Sequence, residues 1–426
     1  MRSKEIADRV ASILTPAGPA DLFPELAVTL YVFISRLHKA LASTGCADVY
    51  FLSREGQPLQ ELYEIYRESR DCSGARAHYL QVSRRATLLP SLSELEGETF
   101  ETLFRQYRAI SIREFLSSLG LELYLSEFAA SLGVDEQEFE RRMADLPTAP
   151  LFIRLRETER FRTIYECERQ QQRQAFLSYF TSLCGPTVKS AVAIVDVGWK
   201  GTIQDNLHVI LTQAGVASSV EGYYLGLVAP GRVSSTNSKC GLLFSALPDK
   251  SRGFHAFNEN RALFEVMLAA DHPSVWRYAT QESIGPLYGP FEEEEMIRSE
   301  VLPLQRYLVE RFRALLQVPG LSKLDDECLG TIAAEHHARM VFCPTKWERT
   351  WFSKVFHVEN FGVFQRSEFA ENSTAKRLGD RVRFCIELLT RRGREQLGFW
   401  PYKALLERAG YPVALIYSIA RRYQLR

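Results

Sequence analysis

Apolar and polar positions alternate along this chain in a way that predicts strand–turn–helix units around a central helical block. Residues 22 to 44, LFPELAVTLYVFISRLHKALAST, keep an apolar stripe at helical spacing and stop at Gly45. Val49 to Leu52 then read as a short buried strand, Ser53-Arg54-Glu55-Gly56 as a polar turn, and Leu59, Leu62, Tyr63 and Tyr66 as the stripe of the next helix. Tyr79 to Val82 form a further extended segment, with Ser83, Arg84 and Arg85 at its end. From about 93 to 180 the pattern is helical almost throughout, closing with one long helix, RETERFRTIYECERQQQRQAFLSYFTSL. The strand grammar then returns in AVAIVDVGWKGTIQ, where an apolar run reaches Asp196. A glycine-bounded turn follows from Gly198 to Gly201, and Thr202 opens a helix marked by Ile203, Leu207, Ile210 and Leu211. SSVEGYYLGLVAP and KCGLLFSAL predict two more strands, the second at an edge, and Arg261 to Ala270 a helix ending at Asp271-His272-Pro273-Ser274. The remainder reads as largely helical.

These elements predict an α/β fold. It has a mostly parallel sheet with helices on both faces, interrupted by a helical insertion and followed by a helical C-terminal region. The expected division is 1–92 and 186–290 for the two parts of the α/β core, 93–185 for the insertion as a cap, and 291–426 for the C-terminal region.

Composition narrows the function classes. Lys plus Arg (52) equals Asp plus Glu (52), so no overall field favours nucleic acid or an acidic membrane. Arginine far outnumbers lysine, which suits bidentate phosphate recognition and equally reflects a GC-rich genome. The eight cysteines are scattered with no C-x-x-C pair, so they predict reduced thiols in a cytoplasmic protein. The first residues show no signal-peptide pattern, and no stretch has the apolar length of a membrane span. The adjacent His336 and His337 lie in a helical pattern without a cysteine or acid at ligand spacing, so no metal ligand set is assigned.

Candidate chemistry gathers at the strand ends, the edge where open parallel sheets bind ligands. Asp196 ends one strand before a glycine-rich turn and a helix N-terminus, an arrangement that places backbone N–H groups on an anion and a carboxylate on hydroxyls or a metal. Asp-x-Gly also closes strands for turn chemistry alone. Arg54 and Glu55 end another strand, and Ser83, Arg84 and Arg85 a third. Glu265, inside an apolar helix, and His272, at a helix stop, are candidates for proton transfer or acceptor binding, although single residues in such places are more often structural. The basic, amphipathic tail RRGREQLGFWPYKALLERAGYPVALIYSIARRYQLR suits either an acidic membrane surface or an ordinary packed helix pair.

The series FLSREG, YLQVSRRA, VDVGWKGTIQ, GYYLGL and LFE…AADHPS, spanning roughly residues 30 to 290, resembles a domain of bacterial surface-polysaccharide clusters. That domain is often fused to, or encoded beside, a phosphatase of the haloacid dehalogenase class. The resemblance implies a phosphoribosyltransferase that moves 5-phosphoribosyl from phosphoribosyl diphosphate (PRPP), with Mg²⁺, to a lipid-linked glycan acceptor. This would build ribofuranose into a capsule or O-antigen, and the phosphatase would remove the 5-phosphate. It further implies that Asp196 holds the ribose hydroxyls and that Gly198, Trp199, Lys200, Gly201 and Thr202 cradle the 5-phosphate. Arg54, Glu55 and Gly56 would lie at the diphosphate, with Ser83, Arg84 and Arg85 as partners. Metal ligands are unassigned, and the acceptor base is left among Glu55, Glu265 and His272. This chain departs from the nucleotide-salvage loop in two ways: Val197 stands where a second acid is usual, and Gly-Trp-Lys replaces a threonine-rich turn.

Three alternatives remain. A haloacid dehalogenase phosphatase needs Asp-x-Asp, which Asp196-Val197-Gly198 does not supply. A nucleotide-sugar glycosyltransferase would show a second sheet or a donor-binding acidic motif. A non-catalytic scaffold or glycan-binding subunit would fit the loss of the second acid.

Overall fold

The computed structural model describes residues 3–71, 73–185, 189–279, 283–361, 363–369, 378–388 and 397–424. Cys72 and the opening RRGREQ of the basic tail lie outside the described residues. The fold is α/β. Strands β1 (Asp48–Leu52), β2 (Arg76–Leu80), β3 (Val192–Asp196), β4 (Val220–Leu227) and β5 (Asn237–Ser245) form one five-stranded sheet in the order β2-β1-β3-β4-β5. Every neighbouring pair in it is parallel.

Side-chain alternation explains why the inner strands β1 and β3 are buried on both faces. Val49 and Phe51 of β1 and Ala193 and Val195 of β3 join one apolar cluster, together with the helices Leu26–Thr44 and Gly56–Glu68. Tyr50 and Leu52 of β1 and Val192 and Ile194 of β3 join the opposite one, with Phe176 and Phe180 of the helix Glu159–Cys184 and Leu207 of the helix Thr202–Gln213. Adjacent residues point to opposite faces, so a doubly covered strand must be apolar at nearly every position, as VYFL and VAIV are.

Register sets the functional edge. Phe51 pairs with Val195, so Leu52 and Asp196, one position on, reach the carboxyl edge together. The connections run to opposite sides of the sheet between β1 and β3. This makes their carboxyl ends the switch point at which doubly wound sheets hold ligands.

The connection from β4 to β5, residues 228–236, returns without a helix. It is held down by the buried Lys239, whose ammonium donates to Asp205 (2.6 Å) and to the carbonyl of Pro230 (2.6 Å), while the Asn237 amide donates to Asp205 at 2.8 Å. These bonds satisfy polar groups that a crossover helix would otherwise have satisfied internally.

The insertion has an apolar cluster of its own, including Phe100, Phe115, Phe128, Phe152 and Phe161. Past residue 290 the helices Leu302–Leu316 and Asp326–Phe342 join the same apolar cluster as Leu26–Thr44, so this region covers one face of the sheet. It is not helical throughout. An antiparallel hairpin, β8 (Phe356–Phe361) with β9 (Val363–Glu368), interrupts it, and a smaller hairpin, β6 (Val275–Tyr278) with β7 (Pro286–Tyr288), precedes it. Two other boundaries move. β2 runs from Arg76 to Leu80, not from Tyr79 to Val82, and the helix expected to reach Ala270 ends at Met267.

Candidate functional site

A small pocket of about 120 Å³ opens at the carboxyl ends of β1 and β3. Two loops frame it. The loop after β1 presents Ser53, Arg54 and Glu55, and the loop after β3 presents Val197 and Gly198 beside Asp196. The peptide bonds Ser53–Arg54 and Gly198–Trp199, one on each loop, are cis. Backbone closeness dictates the glycines. A Cβ on Gly198, whose φ is 139°, would stand 2.2 Å from the Gly226 carbonyl oxygen, and one on Gly56 would stand 2.8 Å from the Phe51 carbonyl carbon. Gly201 caps the following helix in the left-handed region, with the Tyr224 hydroxyl 2.7 Å from where a Cβ would be.

Asp196 forms the floor. Its side chain is buried, and burial, followed by the negative charge of Glu55, lifts its carboxyl to about 7. The N–H groups of Val197 and Gly198 and the Arg84 guanidinium pull the other way. The carboxyl therefore exchanges its proton near neutrality, the property a general acid or base needs.

Of the residues singled out from sequence, the pocket gathers Arg54, Glu55, Ser83, Arg84, Asp196, Gly198 and Glu265. Several are already committed to neighbours. Arg54 is buried and donates to Glu293 at 2.5 Å, so its guanidinium braces the loop instead of standing open to a ligand. Ser83 is an N-cap: its hydroxyl accepts from the N–H of Ala86 (3.0 Å) and donates to the carbonyl of Val275 (2.6 Å). Glu265 accepts from the Trp199 indole at 2.7 Å, which fixes the ring of the loop residue against an acid that faces the pocket.

Other expected residues lie elsewhere. Arg84 and Arg85 open a helix, Arg84–Ser91, so consecutive side chains diverge by about 100°. Arg84 faces the pocket, whereas Arg85 turns away, pairs with Glu122 and stacks on Trp276 with 4.2 Å to the ring centroid. The expectation that the two arginines act together is thereby corrected. His272 lies outside the pocket lining. Its Nδ1 donates to the Pro273 carbonyl (2.8 Å) and its Nε2 accepts from the Tyr79 hydroxyl (2.6 Å), while burial depresses its basicity. Lys200 and Thr202 line a second cleft on the far side of the loop. His337 is a core residue, stacked on Phe264 and near the Thr29 hydroxyl at 3.3 Å.

Sequence reasoning missed His357 and Glu293. β8 brings His357 and Val358 to the pocket from the C-terminal region. Glu293 accepts from Arg54, from the N–H of Val358 (2.9 Å) and from His357 Nδ1 (3.3 Å). Burial alone would raise the Glu293 carboxyl, but the His357 and Arg54 bonds and charges bring it down to about 2. Burial likewise opposes charge on His357, yet its bond to Glu293 and the charges of Glu265 and Glu293 raise it above an ordinary imidazole. The pocket thus sets the His357 imidazole and the Arg84 guanidinium against a carboxyl pair, Glu55 and Asp196.

Among the described residues no group of three or more His, Cys, Asp or Glu is arranged to hold a metal. Two carboxylates at one edge nevertheless fit Mg²⁺, which commonly takes one or two protein carboxylates and completes its shell with water and phosphate oxygens. No family model matches the chain, and no curated protein matches it.

Proposed function

We propose that the protein is a PRPP-dependent phosphoribosyltransferase acting on a glycan acceptor, as the sequence resemblance implies. The observation that carries this reading is the convergence of Asp196, Glu55 and Arg84 with two glycine-shaped loops at the β1/β3 switch point. The pocket is small beside the ~300–1,000 Å³ of typical ligand sites, which suits a pentose ring with its phosphates extending along the loops. Asp196 and Glu55 would meet the ribose hydroxyls or hold Mg²⁺, and Mg²⁺ when bound would offset the charge of the departing diphosphate. Arg84 and His357 would face the diphosphate. Arg54 holds its loop through Glu293, a positioning role. In the reaction the acceptor oxygen bonds to the anomeric carbon as the carbon–oxygen bond to diphosphate breaks, and the acceptor proton passes to a pocket carboxylate. Catalysis then rests on positioning and charge stabilisation.

Among the described residues no helix is long and apolar enough to cross a membrane. We assign the protein to the cytoplasmic face of the membrane, where its C-terminal helix would meet lipid and a lipid-linked acceptor. A haloacid dehalogenase-type phosphatase would act on the product.

Titration calorimetry with PRPP and Mg²⁺, with a nucleotide sugar as control, tests the donor. Binding of PRPP that disappears in Asp196→Ala and weakens in Arg84→Ala supports the assignment. Binding of the nucleotide sugar alone moves it to a nucleotide-sugar glycosyltransferase, and binding of neither to a scaffold.

A further inference from the structure

We propose that the cleft between the helical insertion and the helix Thr202–Gln213 is a subsite for a neutral, hydroxyl-rich chain, that is, for the glycan. The cleft measures about 520 Å³. One wall is a single face of the helix, since Thr202, Asp205, Asn206, Val209 and Gln213 recur at helical spacing. The opposite wall runs from Ser91, the last residue of the helix Arg84–Ser91, into the first stretch of the insertion as far as Gln106. The 12-residue helix gives the cleft a length of about 18 Å. That shape suits an extended ligand better than a compact one.

Position ties the cleft to the chemistry. It begins at Lys200 and Thr202, while the neighbouring Val197, Gly198 and Ile203 line the Asp196 pocket. A chain lying along the helix would therefore direct one end over the loop toward the reacting edge. The first part of the insertion packs into an apolar cluster distinct from those of the sheet, although its long helix Glu159–Cys184 joins the sheet's. At the cleft the walls face each other across a polar lining, a common setting for ligand sites.

The lining identifies the class of ligand. Hydroxyl and amide side chains dominate: Ser91, Ser93, Thr99, Thr102, Gln106 and Gln213. Three acids, Glu98, Glu101 and Asp205, are balanced by three bases, Arg105, Lys200 and Arg232. Such a wall offers many donors and acceptors without a net field. A single-stranded nucleic acid would call for a basic groove with aromatic platforms, and among the described residues no aromatic lines this one. A lipid chain would call for an apolar wall. The wall is also set in advance: Asp205 is held by Lys239 (2.6 Å), by Asn237 (2.8 Å) and by the N–H of Arg232 (3.2 Å). Ordering it adds little to the cost of binding.

The subsite rests on the transferase reading for its role, but its occupancy can be measured without donor. The experiment is saturation-transfer NMR on the full chain with maltotetraose, mannotetraose and galactotetraose, and a sulfated tetrasaccharide as the charged control. Gln213→Trp and Thr102→Trp each place an indole in the cleft from solvent-accessible positions. The expected result is contact with at least one neutral tetrasaccharide, weakened about tenfold or more in both variants. No neutral tetrasaccharide bound, binding unchanged in both variants, or binding of the sulfated sugar alone overturns the proposal. PRPP titration of the same samples separates the two readings. Glycan binding without donor binding removes the PRPP assignment and leaves the cleft, whereas donor binding without glycan binding does the reverse.

Discussion

Burial makes an ionised Asp196 destabilising, which fits the chemical role proposed for it. Its carboxyl moves from 3.8 to about 7 on folding, chiefly by burial. Its full contribution to stability is present below about 3.8 and is lost as pH rises through about 7, a difference of about 4 kcal/mol at most. Asp196→Asn, neutral and of the same shape, should therefore melt higher than the parent at about pH 8 and nearly level with it at about pH 4, while losing transfer. Thermal melts at the two pH values check this, and an equal shift at both would refute it. Glu293 behaves in the opposite way. Its folded value of about 2 lies below 4.5, so its contribution is present above 4.5 and is lost as pH falls through 2. Glu293→Gln leaves the Arg54 guanidinium buried without its carboxylate, and urea unfolding at neutral pH should show a loss of about 3–5 kcal/mol. An unchanged midpoint would mean that the link between hairpin and loop holds nothing.

At the scale of elements, the loop after β3 is fixed by a contact that no side chain tolerates. Gly198→Ala would drive a Cβ into the Gly226 carbonyl at a φ of 139°. It should destabilise the protein by about 2 kcal/mol or more and remove donor binding together with loop order. A variant with parent-like melting and PRPP affinity would show that the loop relaxes freely. This loop, its strand and its helix were legible in the sequence because all the signals are local: an apolar run, an acid, glycines, then helical spacing. The Arg84–Arg85 pair was misjudged for a local reason too. Ser83 is a helix N-cap, and reading it so would have sent the two arginines in different directions. His357 and Glu293 were not legible in this way. His357 reaches the pocket from the C-terminal region, and Glu293 meets Arg54 from 239 residues further along the chain; no spacing rule spans such a separation. Residues 345–364 are dense in aromatics, but that density does not single out the histidine among them.

At the scale of the whole molecule, the C-terminal helix Tyr411–Tyr423 is packed on one side and open on the other. Ala414 and Ser418 are buried, whereas Tyr411, Leu415, Ile416, Ile419 and Tyr423 stand exposed, Ile416 at 69% and Tyr423 at 75%. These positions form one stripe, with a tyrosine at each end and Arg421 and Arg422 in the last turn. An apolar stripe with a tyrosine at each end and basic residues in the last turn is a pattern that helices lying in the plane of an anionic bilayer share, and it supports the membrane contact proposed above. The overall charge balance of the chain argues against a general attraction to such surfaces, so binding should depend on this stripe. The full chain should float with vesicles containing phosphatidylglycerol and much less with vesicles of phosphatidylcholine alone. Ile416→Glu combined with Ile419→Glu should abolish flotation and leave PRPP affinity unchanged, because the stripe faces away from the sheet core. Self-association of the parent that the double variant loses, without any flotation, would instead make the stripe a contact between two copies. In that case the glycan would have to reach the cleft from solution and not from a membrane.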